Sequence, residues 1–299
     1  MKSQLELSIE FPTEKDRNYD LGGRSFYFFD FDDNVAHLST PIVIFHKKTR
    51  EEKLLSSGEF AKHSKFVGKS GPFVDYMIDG KDEIKGSFRY FRDKDFGFLD
   101  KLFGRKQSFV HDMMQALSQP DYIWKAPSWS FFYYAVVNKR PLSIITARGH
   151  KPETIKMGLQ CMVNEGHIPH LPNFLSIFPV SNVGVRKELG DHDFKLNVAE
   201  LKRRAIRQSV EAAIKSYGFS PHHRFGMSDD DGHNVELITQ EMMTLKKDYP
   251  EMSFFVIQTY PDRCVKREVL AHGTEDKNEW AVGQNTNAHE TQLALFSDL

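Results

Sequence analysis

Residues 26–34 read Phe-Tyr-Phe-Phe-Asp-Phe-Asp-Asp-Asn, so a run of four apolar side chains changes abruptly to an acidic segment. A continuous apolar run of this kind predicts a central strand that is covered on both faces. In open α/β sheets, ligands bind beyond the carboxyl ends of the strands. The sequence therefore predicts a candidate site directly after residue 29.

The chain that follows predicts a sheet built around this strand. Helical and apolar segments alternate from residue 128 to residue 258, which is typical of βαβ units with a parallel sheet and right-handed crossovers. We therefore expect an α/β fold with a Rossmann-like parallel sheet sandwiched by helices. The predicted helices cover about 128–138, 153–164, 198–217 and 234–248, and the predicted strands cover 142–146, 173–180, 224–228 and 253–258.

Two regions fall outside this alternation. Apolar segments at 41–45 and 52–55 flank a polar turn, which predicts a hairpin. Residues 58–120 mix glycine, lysine and aromatic side chains and indicate an insertion with its own small core. The chain loses periodicity near its end, which predicts a flexible tail. The expected units are a core of residues 1–57 and 121–271, an inserted segment of residues 58–120 and a tail of residues 272–299.

Composition excludes several classes of protein. Among 299 residues, 40 Lys and Arg against 41 Asp and Glu give a net charge of −1, which argues against a protein that binds nucleic acid over its whole surface. No segment approaches the roughly 20 apolar residues of a membrane span. The first six residues lack the apolar stretch of a secretory signal. We expect a cytoplasmic protein without membrane association.

Two carboxylates, Asp30 and Asp32, follow the first predicted strand. Two acids at a strand end can divide the work of phosphoryl transfer. One attacks phosphorus and forms an aspartyl-phosphate, and the other protonates the leaving group and then activates water. The alternative is a simple strand-to-turn transition, since Asp and Asn are common in turns.

A second acidic run, residues 229–231, follows the strand predicted at 224–228. On neighbouring strands, the two runs would converge, and two like charges about 4 Å apart repel by about 4 kcal/mol at an effective dielectric of about 20. Such a cluster needs a cation, and a set of oxygen ligands favours Mg²⁺. The alternative is a solvated turn at Asp231-Gly232.

A hydroxyl and a lysine complete the candidate site. Thr146 ends a predicted strand just before a helix, a position that suits a phosphate oxygen, although a helix N-cap is the alternative. Lys202, early in the helix predicted at 198–217, is our first choice for neutralising charge. Lys195 and Lys187 are rival choices, and a solvated basic helix face is the alternative to all three.

In chain order, these segments resemble the motifs of the haloacid dehalogenase-like (HAD) hydrolase superfamily, over about residues 20–60 and 120–260. The matching residues are Asp30-x-Asp32, Thr146, the helix-borne lysine and Asp229-Asp230-x-x-x-Asn234-Val235. One departure is Asn34, four residues after the first aspartate, where the family usually has Thr or Val. The other is that the family's lysine has three candidate positions.

The resemblance implies a Mg²⁺-dependent phosphatase acting on a small phosphorylated substrate. Asp30 would be the nucleophile and first metal ligand, and Asp32 the acid and base, with its backbone carbonyl on the metal. Thr146 would hold the phosphoryl group, and Asp229 and Asp230 would complete the metal site. Asp32 favours a phosphatase, because dehalogenase members lack this aspartate and transport ATPases usually replace it with Thr.

The resemblance also implies roles for the hairpin and the insertion, the two regions that lie outside the alternation of strands and helices. The hairpin at 41–55 would be the family's flap, and the insertion at 58–120 would be a cap over the site. The aromatic and basic residues 88–92 would contact a ring or an anion of the substrate, or would form the insertion's own core. A catalytically idle scaffold of the same fold is the competing interpretation.

The end of the chain carries a further short motif. The pentapeptide Gln292-Leu293-Ala294-Leu295-Phe296 resembles the segment by which bacterial DNA-maintenance proteins dock on the sliding clamp. Leu293, Leu295 and Phe296 would fill an apolar groove, and Gln292 would supply hydrogen bonds. The substrate would then be a nucleotide or a nucleic-acid 3′ end. The alternative is an ordinary apolar terminus that packs on the domain.

Overall fold

The computed structural model describes residues 13–80, 82 and 84–281. Its strands are β1 (Ser25–Phe29), β2 (Ile42–His46), β3 (Glu52–Leu55), β4 (Tyr76–Met77), β5 (Pro141–Thr146), β6 (Asn173–Pro179), β7 (Arg224–Asp229), β8 (Ser253–Thr259), β9 (Arg263–Leu270) and β10 (Gly273–Ala281). Its α-helices are α1 (Ser57–His63), α2 (Phe98–Leu102), α3 (Ser108–Leu117), α4 (Asp121–Trp124), α5 (Trp129–Val137), α6 (Pro152–Asn164), α7 (Val183–Glu188), α8 (Val198–Tyr217) and α9 (Gly232–Asp248).

The main sheet has the strand order β10-β9-β8-β7-β1-β5-β6. Strands β8, β7, β1, β5 and β6 are parallel, and β9 and β10 add an antiparallel edge. At the centre, Tyr27 of β1 pairs with Leu142 of β5 on one side and with Gly226 of β7 on the other. The predicted α/β fold with a mostly parallel sheet is confirmed.

Helices cover both faces of the sheet around β1. Phe26 and Phe28 pack into a core shared with α7, α8 and α9, whereas Phe29 packs into a core shared with α3, α5 and α6. Each of these three rings is 1% exposed, and burying a phenylalanine contributes about 1.5–3 kcal/mol. The apolar run at 26–29 is therefore explained by burial on both sides, and β1 becomes a rigid base for the acidic residues that follow it.

The start of α8 is defined by a capping box. The Asn197 side chain accepts a hydrogen bond from the Glu200 N–H, and the Glu200 carboxylate accepts one from the Asn197 N–H, both at 2.9 Å. These two bonds satisfy donors that the first turn leaves without helical partners. They fix where the helix begins, and Lys202 consequently lies in its second turn on the buried face.

A small antiparallel sheet forms beside the main one, in the order β3-β2-β4. The predicted hairpin is present as β2 and β3. It shares a core with the inserted segment, since Ile44 and Leu55 pack against Val67 and Phe73. Helix α3, by contrast, belongs to the core of the main sheet. The hairpin and the start of the predicted insertion thus share one core, and α3 near its end shares another, while the predicted unit of residues 58–120 stays a prediction.

The predicted flexible tail is wrong for residues 273–281, which form β10. This strand pairs with β9 along its whole length, and Trp280 packs on Phe131 with ring centroids 5.5 Å apart. Residues 282–299 lie outside the described part of the chain, and with them the motif of Gln292, Leu293, Leu295 and Phe296, so clamp docking stays a prediction. None of the helices in the described ranges combines the length and the apolar character needed to cross a membrane.

Candidate active site

Strands β1 and β7 bring the two acidic runs to the same edge of the main sheet. Phe29 pairs with Ser228, and the Asp30 N–H donates to the Ser228 carbonyl at 3.0 Å. Carboxylate oxygens of Asp30, Asp229 and Asp230 all lie within 4.8 Å of one another. The carboxylates that the sequence expects to converge are therefore close together in the structure.

Lys202 lies between two of these carboxylates. Its Nζ is 2.7 Å from Asp229 Oδ2 and 3.2 Å from Asp30 Oδ1, and the side chain is 1% exposed. Burial alone would lower the pKa of Lys202, but Asp229 and Asp30 together raise it above its ordinary value. The lysine therefore carries its charge inside the cluster.

The two rival lysines lie away from the cluster. Lys195 pairs with Asp193 at 3.3 Å, and 80% of the Lys195 side chain is exposed. Lys187 is exposed as well, and its Nζ lies over the Phe194 ring at 5.9 Å from the centroid. Of the three lysines, Lys202 alone contacts the acidic cluster.

The acidic cluster places three carboxyl groups around one lysine. Burial raises the pKa of Asp30 well above its ordinary value; Lys202 opposes this rise, and Asp229 and Asp230 reinforce it. At the exposed mouth of the cluster, desolvation and the neighbouring Asp229 also raise the pKa of Asp230. Three carboxylates with oxygens within 4.8 Å of one another, joined by no histidine or cysteine from the described residues, match the oxygen preference of Mg²⁺.

Asp229 and Asp230 of the second acidic run belong to the cluster, and Asp231 begins helix α9. Asp229 Oδ1 accepts hydrogen bonds from the Asp231 N–H at 3.0 Å and from Asn234 Nδ2 at 3.2 Å. Asp231 is the N-cap of α9, and its carboxylate accepts from the His233 N–H at 2.8 Å. Asp231 therefore caps a helix instead of forming the solvated turn that was the alternative at Asp231-Gly232, while Asp229 and Asp230 belong to the cluster.

Asp32 is held by a buried arginine. Arg148 Nε donates to Asp32 Oδ2 at 2.8 Å, and Arg148 Nη2 donates to Asp32 Oδ1 at 2.6 Å. The arginine is 0% exposed, and its guanidinium lies 4.8 Å from the ring centroid of Phe91 and 4.7 Å from that of Phe109. A bidentate pair between planar groups fixes direction as well as distance. The Asp32 carboxylate therefore faces Arg148 instead of joining the three metal-ligand candidates, and its predicted backbone contact with the metal stays a prediction.

Sequence reasoning missed Arg148. The arginine follows Thr146 by two residues, so the available signal was a basic residue directly after a buried strand. Its Nη2 also donates to Thr40 Oγ1 at 2.6 Å, and that hydroxyl in turn donates to Asp112. This chain of contacts anchors the arginine on three separate segments.

Thr146 contacts the same pair. Its hydroxyl donates to Asp32 Oδ2 at 3.3 Å and accepts from the Arg148 N–H at 3.3 Å. The next helix, α6, has Lys151 as its N-cap. The alternative of Thr146 as a helix cap is therefore wrong, and the threonine lies beside Asp32 at the strand end.

Asn34, which departs from the family pattern, ties three strand ends together. Its Nδ2 donates to Ser228 Oγ at 2.8 Å and to the Asp30 carbonyl at 3.0 Å, and its Oδ1 accepts from Thr259 Oγ1 at 2.9 Å. The residue is 0% exposed. Because neither Thr nor Val offers both an amide donor and a carbonyl acceptor, the departure has a structural use of its own.

This edge of the sheet combines features that suit a phosphate group. One carboxylate, Asp30, lies against a buried lysine, and a second, Asp32, is held in a fixed direction by an arginine. The acidic cluster offers oxygen ligands for a hard cation, and Thr146 adds a hydroxyl. Comparisons with protein-family models, with curated proteins and with solved structures gave no match to this chain.

Proposed function

We propose that the protein is a Mg²⁺-dependent phosphatase that hydrolyses a small phosphomonoester through an aspartyl-phosphate on Asp30. The observation that carries this proposal is the meeting of Asp30, Asp229 and Asp230 around Lys202 at the carboxyl ends of two neighbouring strands. When bound by these three residues, Mg²⁺ would neutralise the charge of the phosphoryl oxygens and allow an anionic nucleophile to approach.

The first half of the reaction belongs to Asp30. Its carboxylate oxygen attacks phosphorus, the bond from phosphorus to the leaving oxygen breaks, and Asp32, which enters this half in its protonated form, gives its proton to that oxygen. Lys202 holds the Asp30 carboxylate in place by the contact at 3.2 Å. Thr146, at the end of the adjacent strand β5, supplies a hydroxyl to the transferred group.

The second half belongs to Asp32. Now a carboxylate, it takes a proton from a water molecule, whose oxygen attacks phosphorus, and the bond between phosphorus and Asp30 breaks. Inorganic phosphate leaves, and Asp30 and Asp32 return to their starting states. Arg148 acts as a positioning residue in both halves, because its two hydrogen bonds aim the Asp32 carboxylate.

A panel of phosphomonoesters, assayed with Mg²⁺ for release of inorganic phosphate, tests the proposal. The unsubstituted protein should turn over at least one member, and chelation of Mg²⁺ should stop turnover. Asp30→Asn should fold normally and release no phosphate, while Lys195→Met, a change at an exposed lysine, should keep full activity. Phosphate release by Asp30→Asn, or an unsubstituted protein that is inactive on every ester, would contradict the proposal and favour the idle-scaffold interpretation.

A further inference from the structure

A cavity of about 220 Å³ opens at the amino end of the parallel strands. Its lining includes Ser25 and Tyr27 from the start of β1, Gly226 from β7, Phe255 from β8 and Lys266 from β9. Because strand residues rise roughly 3.3 Å each, the cavity residues Tyr27 and Ser25 lie about 10 and 16 Å before Asp30, so the cavity opens at the opposite end of the strand. It is therefore separate from the candidate active site.

Lys266 is a buried cation in this lining. The residue is 4% exposed, and within the described part of the chain it has no hydrogen-bond or ion-pair partner. Its Nζ lies over the Phe255 ring at 4.4 Å from the centroid. A buried charge is costly unless it is paired, and a cation–π contact offsets only part of that cost. The structure thus maintains an incompletely compensated ammonium group at a cavity wall.

The charged surroundings of Lys266 increase this cost. Burial and the charges of Arg224 and Arg17 lower the pKa of Lys266 to about 7, Glu268 opposes that effect, and Lys277 adds to it. Positive charge therefore predominates around the ammonium group. An anion bound in the cavity would add an attraction that offsets the repulsion between Lys266 and the neighbouring arginines.

Arg140 is a second buried cation in the same lining, and it differs from Lys266 because it has an acidic partner. Arg140 is 5% exposed, and its Nη1 lies 2.8 Å from Asp16 Oδ1, while its Nη2 donates to the Glu14 carbonyl at 2.8 Å. The chain supplies a carboxylate to this cation, which serves the fold. Among the residues that the structure describes, none supplies a carboxylate to Lys266, which leaves its ammonium group available to an anion in the cavity.

Aromatic side chains form other parts of the cavity wall. Tyr27 and Phe255 present rings, and among the described residues the Tyr27 hydroxyl has no hydrogen-bond partner. Burial raises the pKa of Tyr27 above its ordinary value, so this hydroxyl is a neutral donor. The floor is open at Gly226, where an added Cβ would lie 4.0 Å from its nearest neighbour, Phe255 Cβ.

We propose that this cavity binds a small monocyclic aromatic acid, with its anionic group against Lys266 and its ring against Tyr27 and Phe255. The size agrees, because 220 Å³ corresponds to roughly seven waters at about 30 Å³ each. One ring with one acidic group fits this space, whereas a dinucleotide does not. Arg17 and Arg224, which also line the cavity, add to the positive field that attracts the acid.

Titration calorimetry of the full chain at pH 7 without Mg²⁺ tests the proposal, with phenylphosphonate, benzoate and inorganic phosphate as probes. At least one aromatic acid should bind, and Lys266→Met should weaken that binding by about tenfold or more, the usual scale for a lost charge-assisted hydrogen bond. Lys277→Met removes a nearby charge outside the lining and should leave affinity within about twofold. Gly226→Val fills the floor without touching a charge and should also weaken binding.

Three results would overturn the proposal. They are equal binding by Lys266→Met and the unsubstituted protein, loss of binding in Asp30→Asn, and inorganic phosphate binding as tightly as phenylphosphonate. The second would place the ligand in the acidic site. The third would show that the aromatic ring does not contribute to binding. Melting temperatures measured in parallel show whether each variant is folded, and a folded Lys266→Met that no longer responds to the acid supports the proposal.

Discussion

Replacing Lys202 with methionine keeps most of the unbranched side chain but removes the cation between Asp30 and Asp229. At 2.7 and 3.2 Å, with an effective dielectric of about 20, the two attractions amount to roughly 6 and 5 kcal/mol. Desolvation of the three buried groups offsets most of this sum, and the remaining carboxyl groups can take up a proton. We therefore expect the free energy of unfolding to fall by about 3–5 kcal/mol, as when other buried ion pairs lose one partner.

Thermal unfolding measures this loss. At about 2–4 °C per kcal/mol for a chain of this size, the melting temperature of Lys202→Met should fall by roughly 6–20 °C at pH 7. Burial already raises the pKa of Asp30, so in the variant this carboxyl binds a proton more readily in the folded than in the unfolded state. The loss should therefore shrink as the pH falls toward 4, where the unfolded carboxyl also takes up its proton.

Lys195→Met is the matched control for this experiment, because its side chain is 80% exposed. It should change the free energy of unfolding by less than about 0.5 kcal/mol. Millimolar Mg²⁺ should restore part of the stability of Lys202→Met, since a dication replaces the missing charge. A Lys202→Met protein that melts within about 2 °C of Lys195→Met at pH 7 would refute the reasoning.

Three further predictions concern other parts of the molecule. Asp32→Asn should still form phosphoenzyme from p-nitrophenyl phosphate but should hydrolyse it slowly, which rapid-mixing assays would show as a burst without steady turnover. Arg148→Lys keeps the charge but not the planar fork, so kcat should fall by roughly tenfold or more while KM changes by less than about twofold. Lys266→Met should raise the free energy of unfolding by roughly 3–5 kcal/mol at pH 6, by chemical denaturation, because the lowered pKa of this lysine means that folding there buries a charge. This gain should disappear as the pH rises from about 7 toward 10.5, where the unfolded lysine also loses its proton.

The centre of the fold was predictable because burial imposes a pattern on the sequence. The apolar run at 26–29 indicates β1, and the bounds predicted for α8, residues 198–217, match the structure. The sequence also contains a pattern that favours Lys202 over the two rival lysines. Position 202 is one helical turn beyond Val198, on the stripe that continues through Ile206 and Ser209, whereas the rival lysines lie outside this helix.

Other features leave little trace in the sequence. Strand β10 is polar along most of its length, and backbone pairing with β9 holds it, so hydrophobic periodicity gives no indication of it. Arg148 meets Asp32 across 116 positions of the chain, a contact that no local spacing encodes. The proposed site at Lys266 depends on a buried lysine that has no acidic partner among the described residues, which only the three-dimensional arrangement reveals.

Asn34 has a consequence for the thermodynamics of ligand binding. Segments beyond strand ends ordinarily sample many conformations, and fixing one residue costs about 1–2 kcal/mol in entropy. The amide of Asn34 joins the ends of β1, β7 and β8 within the folded chain, so this ordering is completed when the protein folds. A ligand that arrives at Asp30 therefore meets a preorganised surface, and its affinity is not reduced by the need to order these strand ends.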